Sequence, residues 1–253
     1  MLKSVLTPVA NLYSDHSFMS DQTTQALMGE TLEIVDSSSS WYKVKQWDSY
    51  ESWIHKFYLT DKKNISFEKY YFDLHTNKLI GNKGNILFIP FGVELPIYKR
   101  YNDHIIVIMP NGNKARYDLP FKQYFSNRTQ KLVSNIKKFI GVHYQWGGVS
   151  TFGCDCSGFV QTIFKSVSIK LPRDCYLQYE NLKKVDYSKI KIGDLLFFKV
   201  DQKINHVAIL SGKTTITHCS GYVKETSLNP KDLSYDKELM NNYYLSMSVE
   251  GLR

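Results

Sequence analysis

The sequence predicts an α+β protein in which two small all-β barrels precede one domain of helices and strands. Three observations lead to this fold class. Short segments rich in aromatic and β-branched residues alternate with turn formers over residues 1–125, as in small all-β domains. From Arg128 the apolar residues recur at helical spacing, and strand-like segments return after Gly193. We therefore expect three domains, at residues 1–62, 63–125 and 126–253.

The first two domains share a pattern of short strands but no convincing sequence repeat. In the second of them, Asn111-Gly112 separates two strand-like segments, and this dipeptide is a strong signal for a β-hairpin. The strand-like segments of the two domains are Ala26–Val35, Trp41–Gln46, Ser52–Tyr58, Leu87–Ile89, Glu94–Tyr98, Ile105–Met109 and Lys114–Tyr117.

The third domain is predicted to begin with two helices. The first contains Leu132 and Ile136 and ends at Gly141, where glycine can adopt the left-handed conformation. The second begins at about Cys156 and has an apolar face that reaches Val167. The strand-like segments that follow are Asp194–Val200, His206–Ser211, Thr214–Ser220 and Tyr243–Val249.

The composition excludes several classes of protein. With 43% hydrophobic and 22% charged residues, the 253-residue chain is too apolar for a disordered protein. No apolar stretch approaches the roughly 18 residues of a membrane span, so we expect no membrane partner. The net charge of +8 comes without a cluster of five or more Lys or Arg residues, which disfavours nucleic acid as a partner.

The N-terminal segment shows neither the continuous apolar stretch nor the cleavage site of a secretory signal. We therefore expect a monomer in the cytoplasm, or a periplasmic or secreted protein if a leader has been removed. The four cysteines, at positions 154, 156, 175 and 219, match neither a disulfide framework nor a zinc site. Reduced thiols, no metal and no cofactor are expected.

Cys156 has the setting of a nucleophile. It follows a glycine-rich segment and is the first residue of a predicted helix, flanked by Asp155, Ser157 and Gly158. The free amides and the dipole of a helix N-terminus favour an anion, so we expect the thiolate of Cys156 to form more easily than in water. A buried, inert cysteine is the alternative, but burial alone gives no reason for these flanking residues.

A thiol nucleophile needs a general base and a group that orients the base. His206 and His218 lie on consecutive predicted strands. If Leu210 pairs with Thr214 across a three-residue turn, His206 lies directly opposite His218, with both side chains on one face. His206 could then accept the thiol proton while His218 holds its other nitrogen.

Five motifs, in this order, resemble those of the NlpC-type cysteine peptidases. They are Tyr144 with Trp146-Gly147-Gly148, Asp155-Cys156-Ser157-Gly158, Leu171-Pro172-Arg173-Asp174 with Gln178, Gly193-Asp194-Leu195-Leu196-Phe197-Phe198 and His206-Val207-Ala208-Ile209.

The resemblance implies a papain-like α+β fold and cleavage of bacterial cell-wall peptides. It also implies that Cys156 is the nucleophile, His206 the base, His218 the third polar residue and Tyr144 a hydrogen-bonding residue near the oxyanion. The amide of Cys156 would supply another donor to that oxyanion.

The first barrel resembles a bacterial SH3-like domain in the segments Trp41–Val44 and Asp48–Ile54. Two such barrels before a peptidase domain are similar to the γ-D-glutamyl-L-diamino acid endopeptidases, which recycle cell-wall peptides. In that subgroup the first barrel reads the free amine of the substrate's L-Ala. The resemblance assigns this contact to Tyr50 and to Asp21, which stands where the subgroup has glutamate. Asp155 and Ser157, beside the nucleophile, are the other candidate substrate-binding residues.

Three functions are compatible with these motifs. The first is an endopeptidase that cleaves the γ-D-Glu–diamino acid bond of free L-Ala-γ-D-Glu-diamino acid peptides. The second is a lytic hydrolase of intact peptidoglycan with wall-binding barrels, and the third is a binding protein with an inactive domain. The complete set of Cys156, His206 and His218 argues against the third, and the amine-reading residues favour the first over the second. The sequence does not distinguish diaminopimelate from lysine in the substrate.

Overall fold

The structure, a computed structural model, describes residues 1–63, 65–121 and 123–252. Its chain divides into two compact units, Met1–Tyr124 and Phe125–Arg253. The finer division at residues 62 and 63 stays a prediction.

The first unit begins with a seven-stranded sheet in the order β3-β2-β6-β5-β4-β1-β7. Its apolar core includes Val5, Leu12, Leu32, Val44 and Ile54, none of which is exposed to solvent. Every one of its strand pairs is antiparallel. The strands are β1 (Leu2–Val5), β2 (Val9–Tyr13), β3 (Gln22–Leu27), β4 (Thr31–Ser38), β5 (Trp41–Lys45), β6 (Glu51–His55) and β7 (Leu59–Asp61).

One strand prediction in this sheet is wrong. The segment Ala26–Val35 was expected to be continuous, but a turn separates β3 from β4 within it. Gly29 has φ +80° there, and the amide of Glu30 donates to the carbonyl of Leu27 at 3.0 Å. A glycine in the left-handed region reverses the chain without steric cost, so the apolar residues on its two sides belong to different strands.

A second, six-stranded sheet follows in the order β10-β9-β13-β12-β11-β8. The predicted Asn111-Gly112 turn is confirmed: Gly112 has φ +90°, and Ile108 pairs with Lys114 across it. Among the described residues, strand pairing closes neither sheet of this unit into a barrel. The strands are β8 (Lys69–Tyr71), β9 (Thr76–Gly81), β10 (Ile86–Pro90), β11 (Glu94–Arg100), β12 (His104–Ile108) and β13 (Lys114–Asp118).

The second unit is an α+β domain, as the sequence predicts. Its main sheet has the strand order β16-β21-β17-β18-β19-β20. The helices are α1 (Arg128–Lys137), α2 (Cys156–Lys165), α3 (Cys175–Glu180) and α4 (Lys237–Asn241). The strands are β14 (Val149–Ser150), β15 (Gly153–Cys154), β16 (Lys183–Val185), β17 (Leu195–Val200), β18 (Lys203–Leu210), β19 (Thr215–Ser220), β20 (Tyr222–Ser227) and β21 (Tyr243–Ser248).

The two predicted helices of this unit are present, but the first of them ends earlier than predicted. Helix α1 ends at Lys137, before Gly141, because the chain tightens into turns whose amides at Lys138 and Phe139 donate three residues back. Helix α2 begins at Cys156, as predicted, and packs against β14, β18 and β19. No helix of the described chain is long and apolar enough to span a bilayer.

Candidate active site

The N-terminus of α2 is built around its cap, Asp155. One carboxylate oxygen of Asp155 accepts from the amide of Gly158 at 2.7 Å, which is the usual bond of an N-cap. Cys156 therefore begins the helix, and only 7% of it is exposed. The N-cap residue Asp155 thus fixes the position of Cys156, the candidate nucleophile, at the start of α2.

Two glycines allow the preceding loop to lie against this helix. A Cβ atom on Gly158 would lie 2.1 Å from the carbonyl oxygen of Gly148, and one on Gly148 would lie 2.5 Å from the carbonyl oxygen of Gly153. Neither position can hold a side chain unless the backbone shifts. These close approaches explain the glycine-rich motif before the helix.

Asp155 also forms a buried ion pair with Arg173, which is 2% exposed. The guanidinium donates to both carboxylate oxygens, at 3.0 and 2.5 Å, and to the hydroxyl of Ser157 at 2.9 Å. The amide of Gly147 donates to the same carboxylate at 2.9 Å. Asp155 and Ser157 thus have internal partners, and their expected contact with substrate stays a prediction.

The sulfur of Cys156 lies against the strand that carries His206. The thiol donates to the backbone carbonyl of Asn205, the residue before His206, at a sulfur–oxygen distance of 4.0 Å. Active sites without substrate often have such loose geometry, which tightens when the substrate binds.

The expectation of an easily formed thiolate is wrong for this resting state. Burial, together with the charge of Asp155, raises the pKa of the Cys156 thiol to about 12. The amides of Val207 and Ser157 and the guanidinium of Arg173 act in the opposite direction but are outweighed. Desolvation disfavours the charged form of any group, and here it exceeds the effect of the helix N-terminus.

His206 and His218 are in direct contact. Nε2 of His206 and Nδ1 of His218 are 2.9 Å apart. The contact leaves Nδ1 of His206 as the nitrogen that can accept the thiol proton. The expected pair is thus present, and the catalytic roles of its members stay predictions.

The strand register that was expected to produce this contact is wrong. Leu210 pairs with Ile216 rather than with Thr214, because the turn over residues 211–214 is longer than expected and is closed by the amide of Ser211, which donates to the carbonyl of Thr215 at 2.9 Å. Continuing this register places His206 opposite Ser220, with His218 diagonally adjacent. A shift of two residues keeps both side chains on one face, so the imidazoles still meet.

Both imidazoles are neutral at rest. Burial, together with the charges of His218 and Lys224, lowers the pKa of His206 to about 3. Burial and Lys224 lower the pKa of His218 to about 4, against the opposing charge of Asp236. The resting site therefore pairs a neutral thiol with a neutral base.

The backbone of Tyr144 lies next to this site. It forms an isolated parallel β-bridge with Cys154, and the amide of Tyr144 donates to the carbonyl of Gly221 at 2.8 Å. Burial first, and then the thiol of Cys156, raises the pKa of its phenol. The hydroxyl thus remains a hydrogen-bond donor, as a residue near an oxyanion requires, and that role stays a prediction.

The two remaining predicted residues belong to the first unit. Asp21 is exposed, and its backbone carbonyl accepts from the amide of Ser14 at 2.9 Å. Tyr50 is half-buried, and its amide donates to Asp48 at 3.1 Å. Their role as readers of a substrate amine stays a prediction.

The other three cysteines are buried, free thiols. The sulfur atoms of Cys154 and Cys219 are 3.8 Å apart, a distance without a covalent bond. Burial raises the pKa of Cys175, and a hydrogen bond with Cys219 together with burial raises that of Cys154. Within the described residues, no group of three or more His, Cys, Asp or Glu side chains is placed to hold a metal ion.

One polar residue of this site escaped the sequence analysis. The hydroxyl of Thr226, on β20, lies 2.9 Å from Nε2 of His218. No short motif marks it. Its position follows only from the pairing of β19 with β20, in which His218 lies opposite Lys224 and Thr226 is the diagonal neighbour on the same face.

Comparison with known proteins identifies the family of this chain. Residues 141–245 match the NlpC/P60 family, and residues 8–60 match the bacterial SH3 domain. A gamma-D-glutamyl-L-lysine dipeptidyl-peptidase of Bacillus cereus is 32% identical over 222 residues, covering 77% of this chain and 66% of that protein. The chain belongs to the NlpC/P60 family. The expectation of a cysteine peptidase, a hydrolase, is confirmed at the level of this family.

Two further proteins extend the similarity over most of this NlpC/P60 chain. A gamma-D-glutamyl-L-lysine dipeptidyl-peptidase of Bacillus subtilis is 28% identical over 236 residues, covering 85% of this chain and 78% of that protein. The crystal structure of an NlpC/P60 family protein from Bacillus cereus superposes with a TM-score of 0.86 at 24% identity, covering 100% of both chains. The latter shows the fold alone.

Proposed function

We propose that the protein is a cysteine endopeptidase that hydrolyses the γ-D-Glu–diamino acid bond of cell-wall peptides with a free N-terminal L-Ala, in the recycling of murein peptides. The observation that carries this proposal is the contact of His206 with His218 beside the sulfur of Cys156. Both Bacillus relatives are gamma-D-glutamyl-L-lysine dipeptidyl-peptidases, which supports the γ-D-glutamyl bond and L-lysine as the next residue. The chain spans about two thirds of the length of the first of them. Its substrate is therefore proposed here and is not taken over from that protein.

The reaction proceeds in two steps. Nδ1 of His206 accepts the proton of Cys156 as the sulfur attacks the γ-carbonyl carbon of D-Glu. The amide C–N bond then breaks, the proton passes from His206 to the leaving amine, and a thioester remains on Cys156. Water, deprotonated by His206, hydrolyses the thioester and restores the thiol. Tyr144 and the amide of Cys156 stabilise the oxyanion in both steps.

The free amine of L-Ala is the proposed specificity element. An ammonium has three donors, and Asp21 and Tyr50 are the proposed acceptors. In intact wall this nitrogen is an amide, which lacks the charge and two of the donors. The same site would therefore accept free peptides and reject the polymer.

We further propose that the sheet of β8 to β13 is a second SH3-like domain. Three other expectations stay predictions: a location in the cytoplasm, a monomeric state, and the absence of nucleic-acid or membrane partners.

The test compares four substrates by mass spectrometry. These are L-Ala-γ-D-Glu-L-Lys, its diaminopimelate analogue, the N-acetylated peptides and purified intact sacculi, with Cys156→Ala as the inactive control. We expect the acetylated peptides to be cleaved at least about a hundredfold more slowly than the free ones, roughly 2.8 kcal/mol. Tyr50→Phe should reduce this discrimination, whereas Tyr42→Phe in the same sheet should not. Soluble products from sacculi, with the free peptides left intact, would replace this proposal by that of a lytic wall hydrolase.

A further inference from the structure

His218 has two nitrogens, and the structure gives each of them one partner. Nδ1 faces Nε2 of His206 at 2.9 Å, and Nε2 faces the hydroxyl of Thr226 at 2.9 Å. The three side chains form a diagonal row across β18, β19 and β20. Thr226 is only 2% exposed, so water does not readily replace its hydroxyl.

The position of the protons along this row decides whether His206 can act as a base. A neutral imidazole carries one N–H group. Nδ1 of His206 can accept the thiol proton only if the ring's own proton is on Nε2. That proton must then be donated to Nδ1 of His218, which places the proton of His218 on Nε2, directed at Thr226.

The opposite arrangement of protons satisfies the same distances but is unproductive. If His218 carries its proton on Nδ1, it donates to Nε2 of His206. The proton of His206 is then on Nδ1, so that this nitrogen has no lone pair with which to accept the thiol proton. A group that accepts a hydrogen bond from Nε2 of His218 therefore favours the productive arrangement.

We propose that Thr226 is a positioning residue that holds His218, and through it His206, in the tautomer competent for proton transfer. The inference rests on the proposed roles of Cys156 and His206. Two charges also act on His218: Lys224 lies directly opposite on β20, and Asp236 precedes α4. A threonine hydroxyl can either accept or donate a hydrogen bond; the proposed tautomer requires the hydroxyl of Thr226 to accept from Nε2 of His218.

The first measurement needs no variant of Thr226. Long-range ¹H–¹⁵N spectra of histidine-labelled protein distinguish the two tautomers, with the His218 signal assigned by its loss in His218→Asn. We expect the proton of His218 on Nε2 and that of His206 on Nε2. A His218 ring protonated on Nδ1 overturns the proposal, whether or not the protein cleaves peptides.

The second measurement uses variants. Thr226→Val keeps the shape of the side chain but cannot accept a hydrogen bond, whereas Thr226→Ser retains the hydroxyl. The matched control is Thr217→Val, because Thr217 is a buried threonine on β19 whose hydroxyl donates to Ser211 at 2.7 Å. The readout is the rate at which iodoacetamide alkylates Cys156 at pH 7, which depends on the thiolate and not on a substrate.

In Thr226→Val we expect this rate to fall about tenfold, the equivalent of ~1.4 kcal/mol, together with a shift of His218 towards protonation on Nδ1. With peptide substrate, kcat should fall and KM should stay unchanged, since Thr226 does not contact substrate. Thr226→Ser and Thr217→Val should retain most of the wild-type rate. Equal losses in Thr226→Val and Thr226→Ser, or no loss in either, would falsify the positioning role.

Discussion

At Cys156, opposing effects act on the pKa of the thiol, and those that raise it are larger. A helix N-terminus, two backbone amides and a guanidinium stabilise the thiolate, while burial and the Asp155 carboxylate oppose it and prevail. The sequence predicts the position of Cys156 correctly because a cap residue and a change of period are local features. It does not predict the direction of the pKa shift, because desolvation depends on chain segments that are distant in sequence.

The pH dependence of alkylation tests this ranking. Since both the thiol and the imidazole are neutral at rest, we expect the iodoacetamide rate at Cys156 to rise about tenfold per pH unit between pH 6 and 9. A preformed thiolate–imidazolium pair would instead give a plateau across this range. Cys154 and Cys175 serve as internal controls and should react more slowly, because a hydrogen bond with Cys219 and burial raise the pKa of Cys154, burial raises that of Cys175, and neither has a proposed base.

The Asp155–Arg173 pair supports a second prediction at this scale. Arg173→Met leaves a buried carboxylate without its counter-ion, so the free energy of unfolding should fall by about 3–5 kcal/mol. Urea unfolding measures the change. Lys183→Met removes a cation from the exposed pair with Glu250 and should leave the midpoint unchanged. A stable Arg173→Met variant would contradict the bracing role of this pair.

At the scale of elements, the alternation of apolar and polar residues predicts where strands occur better than it predicts the register in which they pair. Segments 194–200 and 206–211 correspond closely to β17 and β18. The register between β18 and β19 was missed because the turn over residues 211–214 is longer than the expected three residues, which no residue pattern indicates. The contact of His206 with His218 nevertheless survives, since the period of two keeps the face of each residue unchanged.

The close approach of two glycines gives a prediction for α2. In an exposed helix, Gly→Ala stabilises by about 1 kcal/mol. Gly158→Ala should instead destabilise the second unit and reduce turnover, because the new methyl group would meet the carbonyl oxygen of Gly148. Thermal unfolding and peptide cleavage measure both effects. Gly212→Ala, at a turn where the nearest atom is a side-chain carbon 3.2 Å away, should have the smaller effect; equal effects would contradict the packing argument.

At the scale of the whole molecule, the change of hydrophobic period near residue 128 correctly predicts where helices begin to appear. Strand closure could not be predicted, because it depends on the pairing of edge strands and not on their composition. The relation of Asp21 and Tyr50 to substrate is likewise beyond local pattern.

Acid stability follows from the two buried histidines of the second unit. Their pKa values in the folded state lie below the usual 6.5, so the unfolded chain binds more protons between about pH 3 and 6.5. The free energy of unfolding is therefore largest above pH 6.5 and falls as the pH decreases through this window. We expect a loss of about 2–5 kcal/mol between pH 7.5 and 4.5.

Hydrogen–deuterium exchange of the β18 amides in urea measures this loss for the second unit by itself. His218→Asn removes one of the two shifted groups, so it should lose less stability over the same interval than the wild-type protein. An equal loss in both proteins would assign the acid sensitivity to carboxylates instead.

The neutral state of the thiol at rest also affects how quickly oxidation inactivates the protein. Peroxides oxidise thiolates to sulfenic acid and then irreversibly to higher acids. A cysteine that ionises only as a peptide carbonyl approaches is protected between turnovers, because its reactive form exists for a small fraction of the time. The buried, uncharged site thus lowers the fraction of thiolate at rest and thereby protects Cys156 from oxidation.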